Sequence, residues 1–160
     1  GNLPYNISSQ ILVKILKFKK WLPKFENLIF MFQKELGEKI IGKYLTKDYG
    51  RISILTNYRL NTIEKFLVSP NCFRPRPKVT SIVIHFKPIK REKFKIKKID
   101  KLEKITNILF SAKRKMINKK LQKILNTKEI KKINGLQLNL RPTDLEPNIY
   151  YKITEIFEKK

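Results

Sequence analysis

Two short segments of the chain carry residue types that can hold and orient a planar ligand. The first, Asn2-Leu3-Pro4-Tyr5, stands at the head of the chain, just before a predicted helix. In an α/β domain such a segment can place an amide, a backbone carbonyl and an aromatic ring at the carboxyl edge of the sheet, where open α/β sheets bind ligands. Alternatively, these residues form an ordinary loop in which Pro4 stiffens the turn and Tyr5 packs.

The second segment covers residues 71–81, with the sequence Asn-Cys-Phe-Arg-Pro-Arg-Pro-Lys-Val-Thr-Ser. Its two prolines confine the preceding residues to extended geometry. The segment therefore presents the ring of Phe73 among Arg74, Arg76 and Lys78, an arrangement that suits a flipped base and its phosphates. The alternative is a proline-rich lead into a strand, with the cations facing solvent.

The charge of the chain points to a polyanionic partner. Its 160 residues hold 37 Lys and Arg against 13 Asp and Glu, a formal net charge of +24. Nucleic acid is favoured over an anionic membrane, because the cations are spread along the whole chain rather than gathered on one terminal helix. An AT-rich genome would also enrich lysine on solvated surfaces, and this explanation stays open.

Composition excludes several other classes of protein. With 41% hydrophobic residues, the chain can bury a core and is too apolar for a disordered protein. No run approaches the roughly 18 apolar residues of a membrane span, and no signal peptide is visible, so we expect a cytoplasmic protein without a membrane partner. Single Cys and His residues exclude an internal disulfide and a multi-cysteine zinc site, and we expect no metal.

The first 88 residues mix helical and strand periods, which indicates an α/β unit. Ser8 and Ser9 can cap a helix with one apolar face. Residues 28–32 form a continuous apolar run, as expected of a buried parallel strand, and residues 79–86 are rich in β-branched side chains and predict another strand. Between the strands we expect a short helix through Ile41, a turn at residues 48–50 and a mixed segment at 62–68.

Residues 95–160 read as almost wholly helical. A polar stretch at residues 87–93 suits a linker. Beyond it, Leu102, Ile105, Leu109, Ala112 and Met116 recur at helical spacing, with basic residues on the other faces. A final helix begins near Pro147. This region predicts a small helical domain with a basic face.

Four motifs occur in the order seen in ribosomal RNA adenine N6,N6-dimethyltransferases. They are Asn2-Leu-Pro-Tyr-Asn-Ile-Ser8, Gln33-Lys34-Glu35, Tyr49-Gly-Arg-Ile-Ser53 and Phe73-x-Pro-x-Pro-Lys-Val-x-Ser81. The segment Phe110-Ser-Ala-Lys-Arg-Lys-Met116 resembles the basic helix of the bacterial small-subunit branch (KsgA/RsmA), and Arg141-Pro-Thr-Asp-Leu145 resembles its segment before the final helix. The chain is therefore similar to this branch over nearly its whole length.

The resemblance implies a fold and an activity. Residues 1–88 would be the C-terminal part of a Rossmann-like S-adenosylmethionine-dependent methyltransferase sheet, and residues 89–160 a small all-helical RNA-binding domain. The activity would be dimethylation of two adjacent adenosines at N6 in small-subunit ribosomal RNA, with a role in small-subunit biogenesis. We expect a monomer.

The resemblance also implies catalytic roles for Asn2, Leu3, Pro4, Tyr5 and Phe73. The amide oxygen of Asn2 and the carbonyl of Leu3 would accept the two N–H bonds of the adenine amino group and leave its lone pair free. Asn2 would also lie near the methyl donor. Tyr5 and Phe73 would sandwich the base, and no strongly basic residue is required, because the nitrogen becomes acidic only once it is methylated.

A set of basic residues would contact RNA phosphates, although each is equally well explained as a solvated surface charge. These candidates are Lys34, Arg51, Arg74, Arg76, Lys78, Lys113, Arg114 and Lys115.

The chain departs from the family at the donor site. Its five glycines are Gly1, Gly37, Gly42, Gly50 and Gly135, and no two are close enough for the glycine-rich turn that binds the donor. The chain also begins inside a family motif, so we expect roughly 100 residues of the first half-fold to be missing. We expect the 160 residues alone to be inactive and poorly stable, with one face of an incomplete parallel sheet exposed.

Three alternatives remain. A catalytically silent RNA-binding assembly factor would keep the basic surface, but it would not need the amide of Asn2. The macrolide-resistance enzymes, which act on large-subunit RNA, share the first and fourth motifs. A DNA adenine methyltransferase fits the motifs around Phe73 and Arg114 less well.

Overall fold

A computed structural model describes residues 4–90 and 94–160 of the chain. The predicted site residues Asn2 and Leu3, and residues 91–93 of the predicted linker, lie outside this part. The described elements, in chain order, are α1 (Ser8–Leu16), β1 (Leu28–Gln33), α2 (Lys34–Ile40), α3 (Arg51–Arg59), β2 (Leu60–Val68), β3 (Ser81–Pro88), α4 (Ile99–Phe110), α5 (Asn118–Leu121), α6 (Thr127–Lys131) and α7 (Pro147–Phe157). The predicted α/β class is confirmed.

The three strands form one sheet in the order β1-β3-β2, and both pairings are antiparallel. The strand predicted at residues 28–32 is present, but the prediction that it is parallel is wrong. An apolar run reports burial and does not encode the direction of the neighbouring strand. Here β3 lies between β1 and β2 and runs opposite to both, so Ile84 pairs with Phe30 on one side and with Lys65 on the other.

Along β1 and β3, one face of the sheet is buried and the other is largely open, whereas β2 is exposed on both faces after Leu60. Side chains alternate along each strand, so Phe30, Phe32 and Ile84 point into the core. On the opposite face, Ile29 is 50% exposed and Phe66 is 54% exposed. An exposed sheet face was expected from the sequence, but it belongs to an antiparallel sheet.

Helices α1 and α2 contribute to the layer beneath the buried face. Leu12 and Leu16 of α1 are buried in the core. Helix α2 lies so close to β3 that a Cβ on Gly37 would meet the Cγ2 atom of Ile82 at 2.2 Å. The predicted capping role of Ser8 and Ser9 is wrong, because Ile7 precedes the helix and Ser8 is its first residue, with its hydroxyl donating to the carbonyl of Tyr5 at 3.1 Å.

The helical region differs from its predicted layout at one point. Helix α4 buries Leu102, Ile105 and Leu109, as predicted, but it ends at Phe110. The continuation of this helix through Met116 is wrong, and Met116 is 55% exposed. The chain turns instead, because the backbone N–H of Ile117 donates to the carbonyl of Leu140 (2.9 Å) and the side chain of Ile117 enters the core.

The two predicted domains share one continuous hydrophobic core. Hydroxyl groups of buried tyrosines also link them. Tyr49 donates to the carbonyl of Leu145 at 2.8 Å, and Tyr58 donates to the carbonyl of Phe94 at 2.8 Å. A division at residue 88 therefore stays a prediction. Within the described part of the chain, no helix is long and apolar enough to span a bilayer.

Candidate functional site

The two segments that the sequence singled out meet at one pocket. Residues of both segments line it together with one residue from the open face of β1: Pro4, Tyr5, Met31, Phe73, Arg74, Pro75 and Pro77. The pocket has a volume of about 380 Å³, which lies within the range of small-ligand sites, roughly 300–1,000 Å³. The aromatic residues Tyr5 and Phe73 are both half-buried.

A hydrogen bond connects the two chain segments that line this pocket. The hydroxyl of Tyr5 and the hydroxyl of Ser81 are 2.5 Å apart, although the residues are 76 positions apart in the chain. Ser81 is the first residue of β3 and is fully buried. Because Ser81 is the last residue of the segment that carries Phe73, this bond connects that segment to the one that precedes α1.

Short turns place these residues. The chain from Pro4 to Ile7 forms a turn, in which the N–H of Ile7 donates to the carbonyl of Pro4 at 3.2 Å. On the other side, Phe73 follows a 3₁₀ turn at Pro70–Cys72, and its N–H donates to the carbonyl of Pro70 at 3.2 Å. Proline at each turn limits the backbone conformations, so both rings are presented by stiff segments.

The pocket of Tyr5 and Phe73 lacks the features of the donor site that the family resemblance implies. No carboxylate lines the pocket of Tyr5 and Phe73 to bind a ribose. None of Gly37, Gly42, Gly50 and Gly135 lines it either. The same part of the chain holds no group of three or more metal-ligating side chains. Binding of the donor is therefore not assigned to this pocket.

A second, larger pocket of about 670 Å³ lies between the two regions of the chain. It brings together the predicted RNA-binding residues Arg51, at the start of α3, and Lys113, in the turn after α4. Lys39 and Lys47 also line it. Two acidic residues are present, but one of them, Glu103, forms an ion pair with Lys17. Once Glu103 is paired with Lys17, four cationic side chains and one carboxylate remain at this pocket, so its net charge favours an anionic ligand.

The other predicted RNA-binding residues are distributed over the surface. Arg74, Arg76 and Lys78 are exposed on the segment that carries Phe73. Lys34 begins α2, its backbone N–H donates to the carbonyl of Thr80 (2.9 Å), and its Nζ atom lies 4.0 Å from the Oε1 atom of Glu38. Lys34 therefore lies next to the end of the Phe73 segment.

The basic cluster Lys113, Arg114 and Lys115 is exposed, but it does not lie on a helix. The expectation of a basic helix here is wrong, because α4 ends before it. The turn is held by a bond from the N–H of Lys115 to the carbonyl of Ala112 at 2.9 Å and by a bond from Lys120 Nζ to the hydroxyl of Ser111 at 2.7 Å. A turn presents three consecutive cations outward, whereas a helix would spread them around its axis.

Several residues at these pockets were not singled out by the sequence. Ser81 is the last residue of the Phe73 motif, and its position at the start of an apolar strand is the sequence signal that could have identified it. Met31 was hidden in an apolar run whose alternation is visible only in the sheet. Lys39 and Lys47 could not be separated by sequence from the many other lysines.

The family model described as ribosomal RNA adenine dimethylase matches residues 1–159. Among curated proteins, the chain is 44% identical over 162 residues to the ribosomal RNA small subunit methyltransferase A of Pelagibacter ubique. It is 35% identical over 159 residues to the protein of that name from Zymomonas mobilis. These alignments cover 99% of the chain, but only 60% and 56% of the two relatives.

Two crystal structures share the fold. A dimethyladenosine transferase from Plasmodium falciparum aligns with a TM-score of 0.77 and 21% identity, over 99% of the chain and 65% of that protein. The 23S rRNA methyltransferase ErmE aligns with a TM-score of 0.64 and 20% identity, over 99% of the chain and 64% of that protein. The fold is therefore that of methyltransferases of this kind.

Proposed function

Because this chain belongs to the ribosomal RNA adenine dimethylase family, we propose that the protein methylates adenines in ribosomal RNA. The product is N6,N6-dimethyladenosine at two adjacent adenosines of small-subunit RNA, and the methyl donor is S-adenosylmethionine. The shared pocket of Tyr5 and Phe73 carries the proposal, since it joins the two motif segments around a space that suits one base.

The pocket's task is to hold an adenine that has left its RNA stack. We propose that the base stacks between the rings of Tyr5 and Phe73, which both line the pocket, and stacking of this kind is worth about 1–3 kcal/mol per base. That gain offsets part of the few kcal/mol that unstacking costs. Arg74 is the charged residue on the pocket's rim and adds a contact to the neighbouring phosphate.

The amino group of the base is a poor nucleophile, because its lone pair is delocalised into the ring. We propose that the amide oxygen of Asn2 and the carbonyl of Leu3 accept its two N–H bonds. This leaves the lone pair directed away from the ring plane. Positioning and fixed dipoles are then the main contribution of the protein to the rate.

RNA binding is spread over both regions. We propose that residues 89–160 form an RNA-binding domain. We also propose that Arg51 and Lys113, which both line the larger pocket, bind the phosphate backbone. Lys34, Arg76, Lys78, Arg114 and Lys115 extend this surface. The protein works as a monomer in the cytoplasm, on the ribosomal RNA of the small subunit during its assembly.

Methylation of purified RNA tests the proposal. The complete gene product is incubated with small-subunit or large-subunit RNA and S-adenosylmethionine, and nucleosides are analysed by mass spectrometry. Dimethyladenosine in small-subunit RNA is expected. Product in large-subunit RNA alone would move the assignment to the macrolide-resistance type, and RNA binding without any product would indicate an assembly factor.

An asparagine pair separates catalysis from binding. Asn2→Ala is expected to abolish methylation while RNA affinity stays within about twofold, because one amide contributes little to a phosphate-dominated interface. Asn6→Ala, at an exposed neighbouring position, serves as the matched control and is expected to retain activity. Equal activity of the two variants would remove Asn2 from the mechanism.

A further inference from the structure

We infer that Ser81 is a positioning residue that fixes the gap between the two aromatic walls of the base pocket through its bond to Tyr5. This inference rests on the proposed function. It concerns how the spacing between Tyr5 and Phe73 is maintained, whereas the proposed function concerns the ligand that the pocket binds.

The first step is that Ser81 is an immobile point. It is fully buried and pairs with Gln33 of β1 on one side and with Val68 of β2 on the other. The chain from Phe73 to Ser81 enters the sheet at this residue. Any displacement of Ser81 would therefore break pairing on both sides, so the sheet anchors the end of the segment that carries Phe73.

The second step is that Tyr5 is held from two directions by buried serines. Ser8, also fully buried, donates to the backbone carbonyl of Tyr5 at 3.1 Å. Ser81 contacts the hydroxyl at the far end of the same side chain, at 2.5 Å. With the backbone and the ring tip both held, the Cγ–Cζ axis of the Tyr5 ring is fixed relative to the segment that carries Phe73.

The third step concerns the choice of side chain. A phenylalanine would supply the same stacking face without a hydroxyl to satisfy. Burying the Ser81 hydroxyl is unfavourable unless it has a hydrogen-bond partner, and the Tyr5 hydroxyl supplies that partner at the edge of the pocket. The hydrogen bond thus offsets the desolvation of the Ser81 hydroxyl and fixes the position of the Tyr5 ring.

Turnover measurements on the complete gene product test the inference. Ser81→Ala and Tyr5→Phe each remove one hydroxyl and are expected to lower kcat by about tenfold, the size expected from one orienting hydrogen bond. The KM for RNA is expected to stay within about twofold, because phosphate contacts dominate it. The double variant is expected to be no slower than either single variant, because both remove the same bond. Ser81→Thr, which keeps the hydroxyl, is expected to retain most of kcat.

A matched variant controls for general destabilisation. Thr154 is fully buried in α7, and its hydroxyl donates to the carbonyl of Tyr150 at 2.8 Å. Thr154→Val removes a buried hydroxyl far along the chain from the pocket, and it is expected to lower the melting temperature without lowering kcat. Additive losses in the double variant, or an equal kcat loss in Thr154→Val, would overturn the positioning role.

A second measurement does not depend on activity. NMR of isotope-labelled tyrosine reports the motion of the Tyr5 ring, which is expected to be restricted in the unaltered protein and faster in Ser81→Ala. Unchanged ring motion would overturn the inference even in an active enzyme. Absence of methylation by the unaltered protein would instead count against the proposed function, with the ring motion still deciding the role of Ser81.

Discussion

The hydroxyl of Tyr151 in α7 donates a hydrogen bond to the carbonyl oxygen of Ile54 in α3, at 3.0 Å. The two residues belong to the two predicted domains, and the bond is buried. Tyr58 lies against Tyr151, with ring centroids 5.0 Å apart. The helical region is therefore packed on the sheet unit through its tyrosines, and Arg51 and Lys113, one from each region, both line the larger pocket.

Alkaline pH is expected to unfold the protein through these phenols. Burial raises the pKa of Tyr49, Tyr150 and Tyr151 above the ordinary value of 10.0. Since the folded-state pKa is higher, the stability linked to these groups is complete below about pH 10 and is lost as the pH rises further. Ultraviolet titration of tyrosinate together with circular dichroism should show at least three of the six tyrosines ionising only as the fold is lost. Ionisation of all six in a folded chain would contradict this.

Truncation of either aromatic wall is expected to slow methylation. Tyr5→Ala or Phe73→Ala removes one stacking face, worth about 1–3 kcal/mol, so kcat/KM should fall by about 5- to 150-fold. Phe66→Ala is the control, because Phe66 is 54% exposed on β2 and lies outside the pocket. If Phe66→Ala were as slow as Phe73→Ala, the effect would arise from the paired strands β2 and β3 and not from the pocket.

RNA binding is expected to depend on salt through the larger pocket. Arg51→Ala and Lys113→Ala should each reduce the slope of log affinity against log salt by about 1, as expected for the loss of one phosphate contact. Lys128→Ala removes an exposed cation of α6 that does not line this pocket, and it is expected to leave the slope unchanged. Equal slopes for all three variants would mean that the pocket is not a specific RNA contact.

Close backbone approach makes Gly42 sensitive to substitution. A Cβ on Gly42 would lie 2.3 Å from the carbonyl oxygen of Asp48 and 2.9 Å from the backbone nitrogen of Tyr49. Because the chain must shift to admit it, Gly42→Ala is expected to destabilise the fold by about 1–3 kcal/mol. Gly50→Ala meets no atom within 4 Å, so urea unfolding should separate the two variants, and equal midpoints would refute the steric argument.

The donor is expected to bind poorly to the 160 residues alone. The described residues supply neither a glycine-rich turn nor a carboxylate at the base pocket, and both are features of donor sites in such folds. Calorimetry with S-adenosylmethionine should therefore show no strong stoichiometric binding to the isolated chain. Tight binding would mean that the described residues hold a donor site elsewhere.

Local patterns in the sequence were sufficient for several elements. The apolar spacing of α1 and α4, the strand at residues 28–32 and the start of α7 at Pro147 all follow from periodicity and proline geometry. The end of α4 could not be predicted in this way, because no glycine or proline marks it. Burial of Ile117 against the segment at Leu140 ends the helix, and that contact joins parts of the chain that are distant in sequence.

The features of the candidate site can likewise be separated into those that the sequence identifies and those that only the folded chain brings together. By itself, the sequence determined the charge, the order of the motifs and the residue types at Tyr5 and Phe73, because these are properties of single residues and their near neighbours. Only the tertiary structure decided that the sheet is antiparallel, that Tyr5 reaches Ser81, and that Arg51 and Lys113 line one pocket. Each of these depends on contacts between distant parts of the chain, whose geometry follows from how the whole core packs.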